Sequence, residues 1–336
     1  MALRESVVLG IDVGGTKVAA GLVNERGEIL HKFRVPMLPS GTAEDGLAAV
    51  KAAIEGVLQD NGAVRARLAG VGIISPGPLD PKRGIVINPP NLPCWRDFPL
   101  AEEVERAFGI PTRLDNDANA AALAEALWGA GRDYSLVFYA TLGTGIGTGI
   151  VFDGRIHHGR TGAAAEAGHL TIDYHGPVCG CGKRGCIEAL ASGPAIAQRA
   201  RKLVADTKSG AMLRLAGDDP SNITTELVAD AYRAGDPVAT QVLRETAEML
   251  GIWLGNMVDV LEPDVLIIGG GVSELMSSFF EYIREVMQKW SINQRCCEIP
   301  LVRAHYGADA GIAGAAALCF SVGLGALARS GQEQLG

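Results

Sequence analysis

At 336 residues, 48% of them hydrophobic and 20% charged, the chain is longer than one compact core needs, so two lobes are expected. A formal net charge of -8 and the lack of a long basic tract leave nucleic-acid backbone binding nothing to rest on. No apolar run approaches the roughly 18 to 20 residues that span a bilayer, and strand-like sequence starts at Val7, so the expectation is a cytoplasmic globular protein with neither membrane contact nor signal peptide.

The chain opens with strand runs and turn punctuation. Ser6 to Asp12 reads as a buried strand, Val13-Gly14-Gly15-Thr16 as a tight turn, and Lys17 to Val23 as a second strand. Asn24-Glu25-Arg26-Gly27 turns into Glu28 to Val35, completing an antiparallel three-strand unit. A helix over about 43 to 60 puts Leu47, Val50, Ile54, Val57 and Leu58 on one face. Leu68 to Ile74 is an apolar strand that Ser75-Pro76-Gly77-Pro78 must end. Arg113-Leu114 leads into Asp115-Asn116-Asp117 and an alanine-rich helix to about Trp128.

At Leu136 to Thr141 the pattern restarts: strand, the glycine turn Leu142 to Gly149, strand Ile150 to Phe152, and a turn into Ile156. The second half thus opens like the first, which suggests a duplicated lobe, with 1–117 as the small lobe and 118–308 as the large one. Helices fill about 194 to 260. Val265 to Ile268 begins a last strand–helix unit through Gly269-Gly270-Gly271, Ile299 to Arg303 is a late strand, and Asp309 to Leu324 a small-residue helix; a C-terminal helix over about 309–330 would complete the small lobe.

Glycines at a strand corner let backbone N–H groups approach an anion with no Cβ in the way. Asp12-Val13-Gly14-Gly15-Thr16-Lys17 fits such a phosphate corner, with a carboxylate suited to Mg²⁺, though alone it reads equally well as a plain hairpin. It is not a Walker A loop, because no Gly-Lys-Ser/Thr opens a helix here. Gly143-Thr144-Gly145 at the matching point of the second half would make a pair, and Gly270-Gly271 a further bare surface for a base or ribose.

Asp117 fits two roles, an N-cap for the following helix or the carboxylate that takes a proton from an attacking hydroxyl. Asn116 beside it, and Asn88 and Asn91 in the Pro-rich loop before Trp95, are candidates to hold a sugar. Seven cysteines, an odd number, argue against a disulfide framework. Glu166-Ala167-Gly168-His169 followed by Cys179, Cys181 and Cys186 matches a closed Cys₃His zinc site, which is structural because no position stays open for water. Glu166 and Glu188 bracket it and are free to accept from sugar hydroxyls. Cys94, Cys296, Cys297 and Cys319 read as core or surface residues, and His157 and His158 as surface residues.

On the Asp12-to-Lys17 loop, Asn116-Asp117, the Leu142-to-Gly149 corner, Glu166-x-x-His169 and Cys-x-Cys-x4-Cys-x-Glu, the chain resembles the ROK sugar kinases along its whole length. The resemblance implies an α/β, actin-like (ribonuclease H-like), hexokinase-like fold whose two lobes close a cleft around sugar and Mg-ATP. It implies Asp117 as general base, Asn91, Asn116, Glu166, His169 and Glu188 as sugar contacts, Thr16 and Thr144 near the phosphates, and zinc on His169, Cys179, Cys181 and Cys186. A glucokinase is expected, with an N-acetylmannosamine, N-acetylglucosamine or fructose kinase as runner-up and a non-catalytic sugar-binding regulator as the different-class alternative. The family also implies a homodimer or homotetramer. Some members carry an N-terminal helix-turn-helix, for which residues before Val7 leave no room; polyphosphate in place of ATP would be expected to show as an added basic patch.

Overall fold

The computed structural model describes residues 6–59, 65, 67–207 and 210–320, which fall into two compact units. Of these described residues, the first holds those up to Ser135, then Gly149–Ala165, then those from His305 to Phe320; the second holds those in Leu136–Thr148 and Glu166–Ala304.

The first unit grows from β1 (Val7–Val13), whose apolar run is continuous because both of its faces are covered. It pairs antiparallel with β2 (Lys17–Asn24), which pairs antiparallel with β3 (Ile29–Pro36). On its other side β1 runs parallel to β4 (Leu68–Ile74), and β4 to a short strand at Thr112–Asp115, so the sheet reads from edge to edge as β3, β2, β1, β4 and that last strand. A two-residue hairpin, β5 (Leu79–Asp80) and β6 (Ile85–Val86), precedes it, which makes the Thr112–Asp115 strand β7. Asp12 is level with Ile74, and Ile74 with Asp115, so three parallel strands end together. The carboxyl ends of parallel strands are where open α/β sheets bind ligands.

One face of this sheet carries α1 (Ala43–Gln59) and α2 (Leu100–Phe108), with Leu9, Ile11, Val50, Ile54, Ile73 and Trp95 in a single buried cluster. The other face takes the Ala310–Phe320 helix, and α3 (Asp117–Leu127) packs against that helix. The Ala310–Phe320 helix lies nearly backbone to backbone on the strands: a Cβ on Gly72 would come 1.7 Å from the Ala315 carbonyl, and one on Gly10 2.1 Å from that of Ile312. Gly314 meets the Ala120 backbone of α3 in the same way. This packing explains why the unit boundary falls later than the expected 117/118. α3 packs against the C-terminal helix, which lies on the first sheet, so it stays in the first unit. Of the helix expected over about 309–330, Ala310–Phe320 is described and residues 321–330 lie outside the described residues.

The second sheet has the order β10-β9-β8-β11-β12, formed by β8 (Leu136–Leu142), β9 (Ile146–Phe152), β10 (Arg155–Ile156), β11 (Val265–Gly269) and β12 (Leu301–Arg303). Its strand order repeats that of the first sheet. β9 starts at Ile146 rather than Ile150, because Thr148 and Ile150 already alternate inward, so the glycine corner is the tight turn Gly143–Gly145. Its last residues, from Gly149, count with the first unit. In the second unit α4 (Gly193–Thr207), α5 (Thr225–Arg233) and α7 (Phe280–Trp290) pack against the long helix α6 (Pro237–Leu261). α6 starts where Asp236 accepts from the N–H groups of Val238 and Ala239 with Pro237 at the first helical position, a cap and a proline used where each costs nothing. Among the described residues no helix is long and apolar enough to cross a membrane.

Gly72→Ala should destabilise the protein by at least the ~1–3 kcal/mol of core overpacking, since the clash is with backbone rather than a movable side chain. Urea unfolding followed by circular dichroism checks this; wild-type stability would contradict the close packing.

Candidate functional site

In the first unit the phosphate-corner residues gather at the strand ends. Gly14 N–H donates to the Lys17 carbonyl at 2.9 Å and closes the β1–β2 turn. Gly15 lies against Asn91, where an added Cβ would sit 3.0 Å from the Asn91 carbonyl. Asn91 is exposed but its loop is anchored by buried Leu92 and Trp95, whose indole N–H donates to the Ala43 carbonyl. The side chains of Thr16 and Lys17 are open to solvent. Asn88, the weaker sugar candidate, is also exposed.

Asp12 and Asp117 form the electrostatic centre of this unit. Asp12 is half-buried; burial raises its pKa first, then the negative charge of Asp117, against the pull of Lys17 and Arg34. The Asp117 carboxylate is reached by water yet ringed by protein, and lost hydration holds it above the usual carboxylate range, against N–H donation from Ala118. A half-buried carboxylate raised by the charge of a second one suits a divalent cation held mostly through water, so the residues present fit Mg²⁺.

Asp117 is not the N-cap of α3. Asn116 is: its side-chain oxygen accepts from Asn119 N–H at 2.7 Å, which places Asp117 at the first helical position with its carboxylate free of capping. The cap also spends Asn116 Oδ1, leaving the amide NH₂ as the group it can offer a ligand.

In the second unit the Glu166–His169 segment, a short 3₁₀ turn, is fixed on three sides. Ala167 N–H donates to Thr148 Oγ1, buried Trp253 donates to the Ala167 carbonyl at 3.0 Å, and Gly168 has no room for a Cβ beside the Ile146 carbonyl. Glu166 is exposed; the residue before it, Ala165, sits at φ 63°, a conformation an L-residue adopts only when its surroundings impose it. Glu188 is less free than the sequence suggests. Its Oε2 accepts from Ile146 N–H at 3.0 Å, and its Oε1 lies 3.6 Å from Cys179 Sγ and 3.8 Å from His169 Nδ1.

His169, Cys179, Cys181 and Cys186 bring one ligand atom each to within 4.8 Å of one another. His169 Nδ1 is 3.6 Å from Cys179 Sγ, and Cys181 Sγ is 3.7 Å from Cys186 Sγ. A tetrahedral cation with metal–sulfur bonds of about 2.3 Å needs sulfurs about 3.8 Å apart, so the donor set fits zinc by geometry as well as chemistry. The loop is shaped by Gly185, in the left-handed region and packed on the Asp173 carbonyl with no room for a side chain. Burial pushes the Cys179 thiol up to about 12 and raises Cys186, whereas the Lys183 N–H lowers Cys181. Without a cation, Cys179 and Cys186 are therefore held protonated at neutral pH.

A cavity of about 660 Å³ opens in the second unit beside the Gly143–Thr144 corner. Gly143, Thr144, Gly271 and Val272 line it together with Gly193, Thr225, Glu226 and Arg233. Gly270, at φ 84°, is pressed on the Leu142 carbonyl, and Val272 N–H donates to that same carbonyl, which lays the Gly269–Gly271 loop against the corner. Gly145 faces Glu188 instead. Its size and mixed lining suit a purine nucleoside. Thr225 and Glu226 were not singled out from sequence; their only signal is the Thr224 N-cap of α5, which any helix start could carry.

His158 is not the surface residue that the sequence suggests: its Nε2 bonds the buried carboxylate of Asp115, while His157 is exposed as expected. The pairing joins residues 43 apart, and nothing local in the sequence announces it. Of the other cysteines, Cys296 and Cys319 are buried, Cys94 half-buried and Cys297 exposed.

Residues 8–321 match the model of the ROK family. Glucokinase of Streptomyces coelicolor is 36% identical over 317 residues, covering 93% of this chain and 97% of that protein. Glucokinase of Thermotoga maritima is 35% identical over 311 residues, with 93% and 96% covered. Among solved structures, a ROK family glucokinase from Streptomyces griseus in complex with glucose and AMPPNP superposes with a TM-score of 0.78 at 37% identity, covering 93% of this chain and 99% of that one.

The thiol cluster predicts one tightly held cation per chain, measurable by elemental analysis of the purified protein and lost in Cys181→Ser. Because binding must displace protons from Cys179 and Cys186, metal affinity should weaken as the pH is lowered. A metal-free wild type that keeps the loop ordered would contradict the assignment.

Proposed function

The chain belongs to the ROK family and has its actin-like sugar-kinase fold; we propose that it transfers the γ-phosphoryl group of ATP to glucose, at O6. The observation that carries this reading is Asp117: a water-accessible carboxylate at the carboxyl ends of parallel strands, freed from capping by Asn116 and raised in pKa beside Asp12. Likeness to glucokinases over nearly the whole chain supports the substrate.

Asp117 takes the proton of the attacking hydroxyl as its oxygen bonds to phosphorus, and a base works best when its pKa is drawn toward the working pH. Asn91 and the amide of Asn116 hold sugar oxygens. Glu166 accepts from sugar hydroxyls, and His169 offers Nε2, since its Nδ1 faces the thiols. Glu188 keeps the Gly143–Ile146 corner in register with the thiol loop through Ile146 N–H and adds a sugar contact through its remaining lone pairs. Gly14, Gly15, Thr16 and Lys17, with Gly143, Thr144 and Gly145, supply N–H, hydroxyl and ammonium groups to the phosphates. Gly270 and Gly271 border the space for the nucleoside. Mg²⁺ at Asp12 would offset charge on the phosphates. Zn²⁺ on His169, Cys179, Cys181 and Cys186 would lock the loop that carries the sugar-binding side chains.

A coupled ADP-release assay with Mg-ATP and a panel of glucose, mannose, fructose, N-acetylmannosamine and N-acetylglucosamine should show the highest kcat/KM on glucose. Higher turnover on another sugar would overturn the substrate, and silence on all of them would favour a sugar-binding regulator. Asp117→Asn should lower kcat by ~10²–10⁴-fold while glucose still binds, measured by calorimetry. The wild-type rate should fall on the acid side as Asp117 takes up a proton. Because its pKa is raised, that limb should lie above the ordinary value of 3.8. A limb at the ordinary carboxylate value would remove Asp117 from the base role.

A further inference from the structure

We infer that His158 is a positioning residue for phosphoryl transfer, acting through Asp115 on the turn that carries Asp117. The inference rests on the sugar-kinase reading above and adds a residue that no motif in it contains.

Asp115 ends β7 and is almost wholly buried, its side chain 4% exposed. Each of its oxygens is used. Oδ1 accepts from Asn116 N–H at 2.8 Å and from the Asn119 side-chain NH₂ at 3.1 Å; Oδ2 takes the bond from His158 Nε2 at 2.5 Å. One carboxylate therefore grips the residue before Asp117 and the residue two beyond it. Asn116 and Asn119 are in turn joined to each other by the helix cap. The network ties both neighbours of the turn to Asp115 and leaves the Asp117 carboxylate and the Asn116 amide NH₂ facing outward from it.

His158 is what holds the carboxylate in that pose. A buried ionised oxygen without a donor is costly, so Asp115 deprived of the imidazole would rotate toward another N–H and release Asn116 or Asn119. The imidazole is itself held from its own backbone, between His157 N–H donating to the Ile150 carbonyl and the His158 carbonyl accepting from Ala164 N–H. It is partly exposed, at 29%, so its removal opens no cavity in the core. A carboxylate base displaced by a fraction of an ångström loses much of its effect even where folding and nucleotide binding are intact.

The test begins with wild-type turnover on the sugar panel and then compares His158→Ala, His158→Gln and His158→Asn. His158→Ala should lower kcat by ~10–100-fold with KM for ATP changed by less than about twofold. Gln places an amide N–H where Nε2 stands and should restore most of kcat; Asn, whose amide reaches only as far as Nδ1, should not. On the Asp117→Asn background His158→Ala should cost less than about twofold more, because both changes remove the same contribution. If His158→Ala fails to fold, the Gln and Asn variants decide. An active wild type with His158→Ala at its kcat, Gln and Asn variants that behave alike, or additive losses on the Asp117→Asn background would each overturn the inference. A wild type silent on every sugar would overturn the kinase reading and the inference with it.

Discussion

A helix can rest on a sheet backbone to backbone only where neither presents side chains, and the first unit is organised around one such contact. Gly10 and Gly72 clear the surface of β1 and β4, and the small residues of the Ala310–Phe320 helix settle onto it. Everything that matters for chemistry in this unit hangs from that approach. Gly311 meets the Asp12 carboxylate, Gly314 lets α3 come up against the same helix, and α3 begins with Asp117. Larger residues at these glycines would push α3 outward and carry Asp117 away from Asp12, whose pKa its charge raises.

The second unit solves a different problem. Its sugar-binding candidates lie on a stretch, 166–188, with hardly any regular structure of its own. Loops of that kind order themselves only when something ties them. Three ties are in place: the Trp253 indole on the Ala167 carbonyl, Gly168 pressed to Ile146, and Glu188 reaching from Ile146 N–H toward the thiols. A cation held by the Cys₃His cluster would supply the fourth. Together they make a flexible segment as well placed as a strand, and they couple it to the glycine corner that opens the nucleoside-sized cavity.

Much of this was legible in the sequence because the features concerned are local. A run of three cysteines and a histidine at zinc spacing, two glycine–threonine corners after apolar strands, and Asn116-Asp117 at a strand end all declare themselves within a few residues. The readings that changed are those decided by partners distant in sequence. His158 looks like a surface histidine until Asp115 arrives beside it. The start of β9 at Ile146 depended on pairing, not on its glycine-rich composition. Whether Asn116 or Asp117 caps α3 turned on how β7 delivers the chain into the helix, which two adjacent capping residues cannot reveal.

The sequence by itself determined the element order, the repeated strand–corner–strand plan, the Cys₃His cluster as a candidate donor set and Asp117 as the candidate base. Each of these is written in residue type and short spacing, the range over which backbone geometry dictates outcome. Only the tertiary structure decided how free each candidate is. It showed that Glu188 already serves an N–H, that Asn116 has spent its oxygen, that His158 bonds a buried carboxylate, and that the Asp117 carboxylate stays open to water. The reason is that a polar group's availability depends on which donors and acceptors surround it after folding, and those come from anywhere in the chain.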